Sequence, residues 1–193
     1  GNGKVDCQDP DCIHAIACRP EERAKLEIFV MSQCPYAVRA LNALKQVLKE
    51  FKGDIRVELH YIAESRGDGF RALHGQPEVE ENIRQLCAMK YYPEGYKFMD
   101  YIWCRNENIR SEDWRACTGA NGIDAEVIAR CARGQEGASL LRTDIEVAEG
   151  LDVKASPTWF VNGRHKFNGI DARVITENFC AHNEELAPCQ GGD

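Results

Sequence analysis

The chain has 193 residues, enough for one well-buried core with an appendage, and its formal charge of −7 comes from 31 acidic and 24 basic residues interspersed along its length. It contains no long basic block, which argues against nucleic acid as a partner, and no run of about 18 apolar residues, which excludes a membrane-spanning segment. Ten cysteines scattered outside metal-finger spacing, with the five histidines far apart, disfavour structural zinc and point to an oxidising compartment, periplasmic or secreted.

No secretory leader stands at the start, so an export signal is expected outside this stretch. Residues 1–22 form a Cys/Asp-rich segment or linker carrying Asp6, Cys7, Asp9, Asp11, Cys12 and Cys18. With few large apolar side chains it orders only through disulfides, a metal ion or docking onto a neighbour. The main domain is expected over residues 23–182, followed by a tail over 183–193. At Leu26 a short run rich in β-branched and aromatic residues begins and predicts a buried strand. After Ser32-Gln33-Cys34-Pro35, the residues Val38, Leu41, Leu44, Leu48 and Phe51 recur at helical spacing up to Gly53. Ile55, Val57, Leu59 and Tyr61 then alternate with polar residues as a second strand, completing a βαβ unit with a parallel pair.

Residues 63–76 read as a Gly-rich polar loop, and Pro77 followed by Glu78, Glu80 and Glu81 marks a helix start. Only helices are predicted from there to Gly150, one capped by Asp124 and ending at Gly134. Thr158–Val161 is a strand, Asn162-Gly163 a two-residue hairpin turn into His165–Phe167, and Asp171 the cap of a last helix. A helical insertion over about residues 66–150 thus separates the βαβ unit from a hairpin and final helix.

Cys34 lies between a strand and a helix start, where unpaired N–H groups and the positive end of the helix dipole favour a thiolate. Pro35 suits the first helical turn because it has no N–H to lose there. A buried structural cysteine is the competing reading of Cys34. Tyr36 is either a substrate contact or a solvent-facing ring. Pro157 at a strand entrance need not donate to the ladder, and sequence physics alone does not decide whether the Ser156-Pro157 bond is cis.

Cys34-Pro35-Tyr36 after an apolar strand, with Ser156-Pro157-Thr158 before a hairpin and helix, resembles the thioredoxin superfamily. More closely, the chain is similar to thiol oxidoreductases with a helical insertion, both the bacterial disulfide-bond (Dsb) type and the lysosomal thiol reductase type. The likeness to the latter includes His74-Gly75-Gln76-Pro77-Glu78, Asn82, Leu86-Cys87-Ala88, Cys104, Cys117, Cys131-Ala132, Gly137, Pro157 and Asn162-Gly163, and spans about residues 26–180. The fold class this implies is α/β: a thioredoxin-like fold with a long all-helical, disulfide-stapled insertion and a short N-terminal segment. The resemblance also implies that Cys34 is the nucleophile, exposed at the helix start, and that Pro157 is cis and lies beside it, presenting Ser156 backbone groups to an extended thiol-bearing substrate. Pro35, Tyr36, Ser156, Pro157 and Thr158 are then the expected contacts for a cysteine-containing protein or peptide substrate.

The chain departs from this pattern at one position: relatives that cycle a dithiol carry a second cysteine three residues after the first, and here that position is Ala37. Cys34 can therefore form a mixed disulfide, but an external thiol or redox partner protein must release it. The expected function is an extracytoplasmic thiol-disulfide oxidoreductase or isomerase of monothiol type. The alternative, motivated by Ala37, is a non-catalytic peptide-binding or chaperone module. Thiol peroxidase chemistry would need a peroxide-activating constellation that is not visible near Cys34.

The other cysteines read as staples. Cys104 and Cys117 flank a turn between helices and Cys87 and Cys131 bracket them, although sequence alone does not determine connectivity. Cys180, Cys189 or an N-terminal cysteine is an alternative as a distant resolving thiol. No organic cofactor is expected. Asp6, Asp9 and Asp11 lie in a stretch resembling the tail of acidic calcium-binding repeats, so the segment is either a partial calcium site or a disulfide-tied linker from a membrane or lipid anchor.

Overall fold

The computed structural model describes Cys7 and residues 16–190. Along these the regular elements are β1 (Lys25–Val30), α1 (Pro35–Phe51), β2 (Arg56–Tyr61), β3 (Glu64–Arg66), β4 (Gly69–Arg71) and α2 (Gln76–Tyr91). They continue with α3 (Phe98–Glu107), α4 (Ala125–Arg133), α5 (Gln135–Gly150), β5 (Thr158–Val161), β6 (His165–Phe167) and α6 (Ala172–Cys180). The chain divides into two compact units. One holds the residues up to Val30, Arg39–His60 and Val147 onward, and the other Met31–Val38 and Tyr61–Glu146.

The first unit is built on a four-stranded sheet of order β2-β1-β5-β6. The Arg56 N–H bonds the Ala24 carbonyl, so β1 and β2 begin at the same edge, as a strand-helix-strand crossover requires. β5 runs antiparallel to β1, with Leu26 opposite Val161 and Phe29 opposite Thr158, and β6 pairs with β5. Asn162 (φ 53°) and Gly163 (φ 79°) make the two-residue turn between them, in the left-handed region that this hairpin type demands. Leu26, Ile28 and Val30 point to the same face of β1 and are fully buried, as are Leu44, Val47 and Phe51 of α1. The Phe51 ring meets Phe179 of α6 edge-to-face at 4.9 Å between centroids.

The opposite face of β1 and β2 carries charge, which the reading of β1 as an apolar run does not anticipate. Glu27 is 1% exposed and accepts both hydrogen bonds of the Arg19 fork, at 2.7 and 3.0 Å. Lys25 bonds Glu58 at 2.9 Å and Glu22 at 3.0 Å, and Arg56 pairs with Glu22. Arg19 also donates to the Gly163 carbonyl at 2.7 Å, and Arg164 donates to the Arg19 carbonyl. The end of the Cys/Asp-rich segment is therefore docked on this sheet through ion pairs rather than apolar burial.

The second unit opens with a short hairpin, β3 paired to β4 around Gly67-Asp68, where the sequence predicts a loop. Its strands are three residues long and largely exposed, so no hydrophobic alternation marks them. From Gln76 to Gly150 the regular elements are helical, as predicted. Asp124 caps α4 by accepting from the Glu126 N–H at 2.8 Å. Gly137 of α5 has a packing reason: a Cβ there would stand 2.6 Å from the Ile83 side chain of α2 and 2.8 Å from the Cys131 carbonyl. Disulfides join Cys87 to Cys131 and Cys104 to Cys117 in this unit, and Cys7 to Cys18 and Cys180 to Cys189 in the first. Among the described residues no helix is long and apolar enough to cross a membrane.

Candidate active site

The end of β1 delivers the chain to Met31-Ser32-Gln33-Cys34, and α1 begins at the next residue. The Cys34 N–H turns back to the Met31 carbonyl at 3.0 Å, and the Cys34 carbonyl accepts the Val38 N–H at 3.0 Å, the opening bond of the helix. Cys34 is thus the capping position, Pro35 fills the first helical position, and no acidic side chain stands in the first turn of α1 to offset its positive end. Cys34 is buried, 8% exposed, where the resemblance implies an exposed position: the turn before α1 is packed against α2, and it is the Tyr36 ring that stands out, at 60%, while Ala37 is 1% exposed. Eight of the nine described cysteines are disulfide-bonded, and Cys34 lies outside those bonds. Cys180 and Cys189 are bonded to each other, which removes both as resolving thiols in this form. Cys12 and the calcium candidates Asp6, Asp9 and Asp11 lie outside the described residues.

The backbone immediately before Cys34 is held from α2. Glu78, wholly buried, accepts the Gln33 N–H on Oε1 at 2.9 Å, and the His74 N–H on Oε2 at 3.0 Å. The His74 ring Nδ1 lies 2.9 Å from Oε1. One turn further along α2, Asn82 Oδ1 accepts the Ser32 N–H at 3.2 Å. Its Nδ2 is buried without a hydrogen-bond partner, an arrangement that costs on the order of 1–3 kcal/mol. In the sequence Glu78 reads as a helix-dipole acid, and His74, Glu78 and Asn82 stand out only as points of resemblance. The four-residue spacing that stacks Glu78 and Asn82 on one helix face is its one local trace in the sequence, and it does not name the partners Gln33 and Ser32. A polar groove of about 290 Å³ begins at Gln33 and runs between Arg84, Arg110 and Trp114. Arg105, Glu80 and Glu112 also line it, so both signs of charge face the groove.

Ser156, Pro157 and Thr158 belong to the first unit, at the entrance of β5. The Ser156-Pro157 bond is cis, and the Thr158 hydroxyl donates to the Ala155 carbonyl at 2.7 Å. In the same unit Glu27, Glu58 and His60 bring potential metal-ligand atoms within 4.8 Å of one another. Lys25 lies 3.4 Å from Glu27 and 2.9 Å from Glu58, and Arg19 occupies both Glu27 oxygens, so cations of the protein already fill the role of a metal. Burial alone would raise the Glu27 carboxyl, but the His60 ring 3.8 Å away, the two hydrogen bonds from Arg19 and the charges of Arg19 and Lys25 outweigh it and hold it at about 2.

The sheet order, the cysteine at the start of α1, the cis proline before β5 and the helices between β2 and β5 define a thioredoxin-like fold with a helical insertion. Solved structures similar to it include BdbD from Bacillus subtilis in its oxidised form, with TM-score 0.63 and 18% identity over 86% of this chain and 88% of that one. A periplasmic thioredoxin-like protein from Salmonella enterica serovar Typhimurium superposes with TM-score 0.65 and 13% identity over 84% of this chain and 85% of that one. The thiol-disulfide exchange protein alpha-DsbA2 from Wolbachia pipientis gives TM-score 0.61 and 14% identity, covering 83% and 82%. At such identities the likeness is one of fold. No curated protein matches the chain. The family described as gamma interferon inducible lysosomal thiol reductase (GILT) matches residues 25–121, half of the 193 residues, and the chain belongs to this family. The matched stretch contains Cys34 and the His74-Glu78-Asn82 clamp.

Proposed function

We propose that the chain is an extracytoplasmic thiol-disulfide oxidoreductase or isomerase that acts through Cys34 alone. The observation that carries this reading is the placement of Cys34: it caps α1 outside the disulfides that take up the other described cysteines, in a chain of the GILT family. The Cys34 thiolate attacks one sulfur of a substrate disulfide. The Cys34–substrate bond forms as the substrate S–S bond breaks, and the second substrate sulfur leaves as a thiolate. Ala37 has no sulfur, so an external thiolate or another thiol of the substrate must attack the mixed disulfide and expel Cys34 as its thiolate. Attack by a substrate thiol gives isomerisation, and attack by an external thiol leaves that substrate sulfur in a mixed disulfide with it. Pro35, Tyr36, Ser156, Pro157 and Thr158 are the proposed substrate contacts. Family membership and the four disulfides support an oxidising compartment outside the cytoplasm.

Turnover of a cysteine-containing peptide disulfide in glutathione buffer tests the proposal. The native chain accelerates exchange and Cys34→Ser abolishes the acceleration, whereas equal rates for the two would refute it. Ala37 favours a second reading, a peptide-binding or chaperone module without turnover. That reading expects Cys34→Ser to bind an unfolded peptide as tightly as the native chain while neither turns it over.

A further inference from the structure

We infer that the polar groove beginning at Gln33 binds the external thiol that releases Cys34, and that its ligand is a small thiol carrying both an α-ammonium and an α-carboxylate. The inference rests on the reading of Cys34 as the reactive thiol and adds where its resolving partner sits. Ala37 has no sulfur, so that partner comes from solution, and a site beside Cys34 raises its local concentration.

Gln33 lines the groove one Cα step, about 3.8 Å, before Cys34. One wall is the loop closed by the Cys104–Cys117 disulfide, which holds Arg110, Glu112 and Trp114. The guanidinium carbons of Arg84 and Arg115 stand 5.6 and 4.8 Å from the centre of the Trp114 ring, and the Asp113 N–H bonds the Ser111 hydroxyl at 3.2 Å. This wall is ordered before a ligand arrives, which lowers the cost of binding. Arg105, whose side chain is 4% exposed, gives Nε to Glu81 at 3.0 Å and Nη2 to the Ser111 carbonyl at 2.8 Å. Its Nη1 has no bond among the described residues. The charged ends of Arg110 and Glu112, both exposed residues, likewise have no partner among the described residues. A ligand carboxylate thus finds donors at Arg105 and Arg110, and an ammonium finds acceptors at Glu112 and Glu80. A volume of about 290 Å³ admits an amino acid or a short peptide and not a folded chain. When the bound thiolate attacks the substrate sulfur of the mixed disulfide, a ligand–substrate S–S bond forms, the Cys34–substrate bond breaks and Cys34 leaves as its thiolate.

Calorimetric titration of the full chain with S-methylglutathione and S-methylcysteine tests the site itself. Their capped sulfur cannot exchange, so failure of the proposed exchange activity is distinguishable from failure of this inference. At least one of them is expected to bind, and Arg110→Gln and Glu112→Gln, both at exposed positions, are each expected to weaken binding about fivefold or more. Release of a peptide adduct from Cys34 supplies the second arm. Its rate is expected to saturate with glutathione, with cysteine or with both, which identifies the source of the headgroup, and to stay linear in 2-mercaptoethanol, which carries neither charge. No heat with either capped thiol at about 10 mM, native affinity in both charge variants, or release linear in all three thiols would overturn the inference. So would groove variants that slow adduct formation and leave release unchanged, since the groove would then hold the peptide substrate.

Discussion

Glu27 on β1 and Glu78 on α2 are both withdrawn from water, 1% and 0% exposed, yet their surroundings treat them differently. Glu27 sits among permanent cations: Arg19 grips both its oxygens and Lys25 lies within 3.4 Å. Glu78 is met by two backbone N–H groups and an imidazole. The first pattern ties a poorly apolar segment to a sheet, where the charges serve docking. The second ties α2 to the turn that leads into Cys34. A buried carboxylate is therefore read by what it meets: Glu27 meets fixed cations that dock a segment, and Glu78 meets backbone amides that fix a turn.

Several measurements sharpen or break that contrast. Replacing Cys87 and Cys131 together by alanine removes a cross-link of sequence separation 44 from the unit that carries Glu78, and urea unfolding should register a loss of about 4 kcal/mol. Glu27→Ala leaves the Arg19 and Lys25 charges facing an empty position and should cost about 3 kcal/mol, with Cys34 alkylation unaltered. A shifted Cys34 profile in Glu27→Ala would break the contrast.

Acid titration adds a signed version of the same test. The Glu27 carboxyl is held at about 2 against 4.5 for the free group, so its contribution is present above about pH 4.5 and lost as pH falls towards 2. Native stability should decline across that window, by less in Glu27→Gln. At the small end is an exposed acid with a purely local task. Asp171 accepts the Val174 N–H at 3.1 Å to cap α6, and Asp171→Ala should cost about 1 kcal/mol by thermal unfolding without touching the thiol.

Much of the architecture is legible in the sequence because local patterns state it. The apolar run from Leu26, the helical spacing after Cys34, the Asn162-Gly163 turn and the Asp124 and Asp171 caps each occur at their expected places. The β3–β4 hairpin is not legible, since its exposed three-residue strands carry no alternation. The charged sheet face is also hidden. Lys25 and Glu27 look like interruptions of an apolar strand until Glu22, Arg19 and Glu58, distant or unremarkable in sequence, supply their partners. At the site, Cys34-Pro35 announces itself through its place between strand and helix. The clamp does not, because pairing Gln33 with Glu78 and Ser32 with Asn82 depends on tertiary contacts 45 and 50 residues apart.

The most direct test of the central claim is mass spectrometry of the full chain mixed with a peptide disulfide and no other thiol. Attack by Cys34 without a neighbouring cysteine predicts that one half of the peptide disulfide stays bound at Cys34 until glutathione is added, and is then released within the experiment. The account is contradicted if no adduct forms at Cys34, or if the adduct decays without added thiol and leaves a new disulfide that includes Cys34.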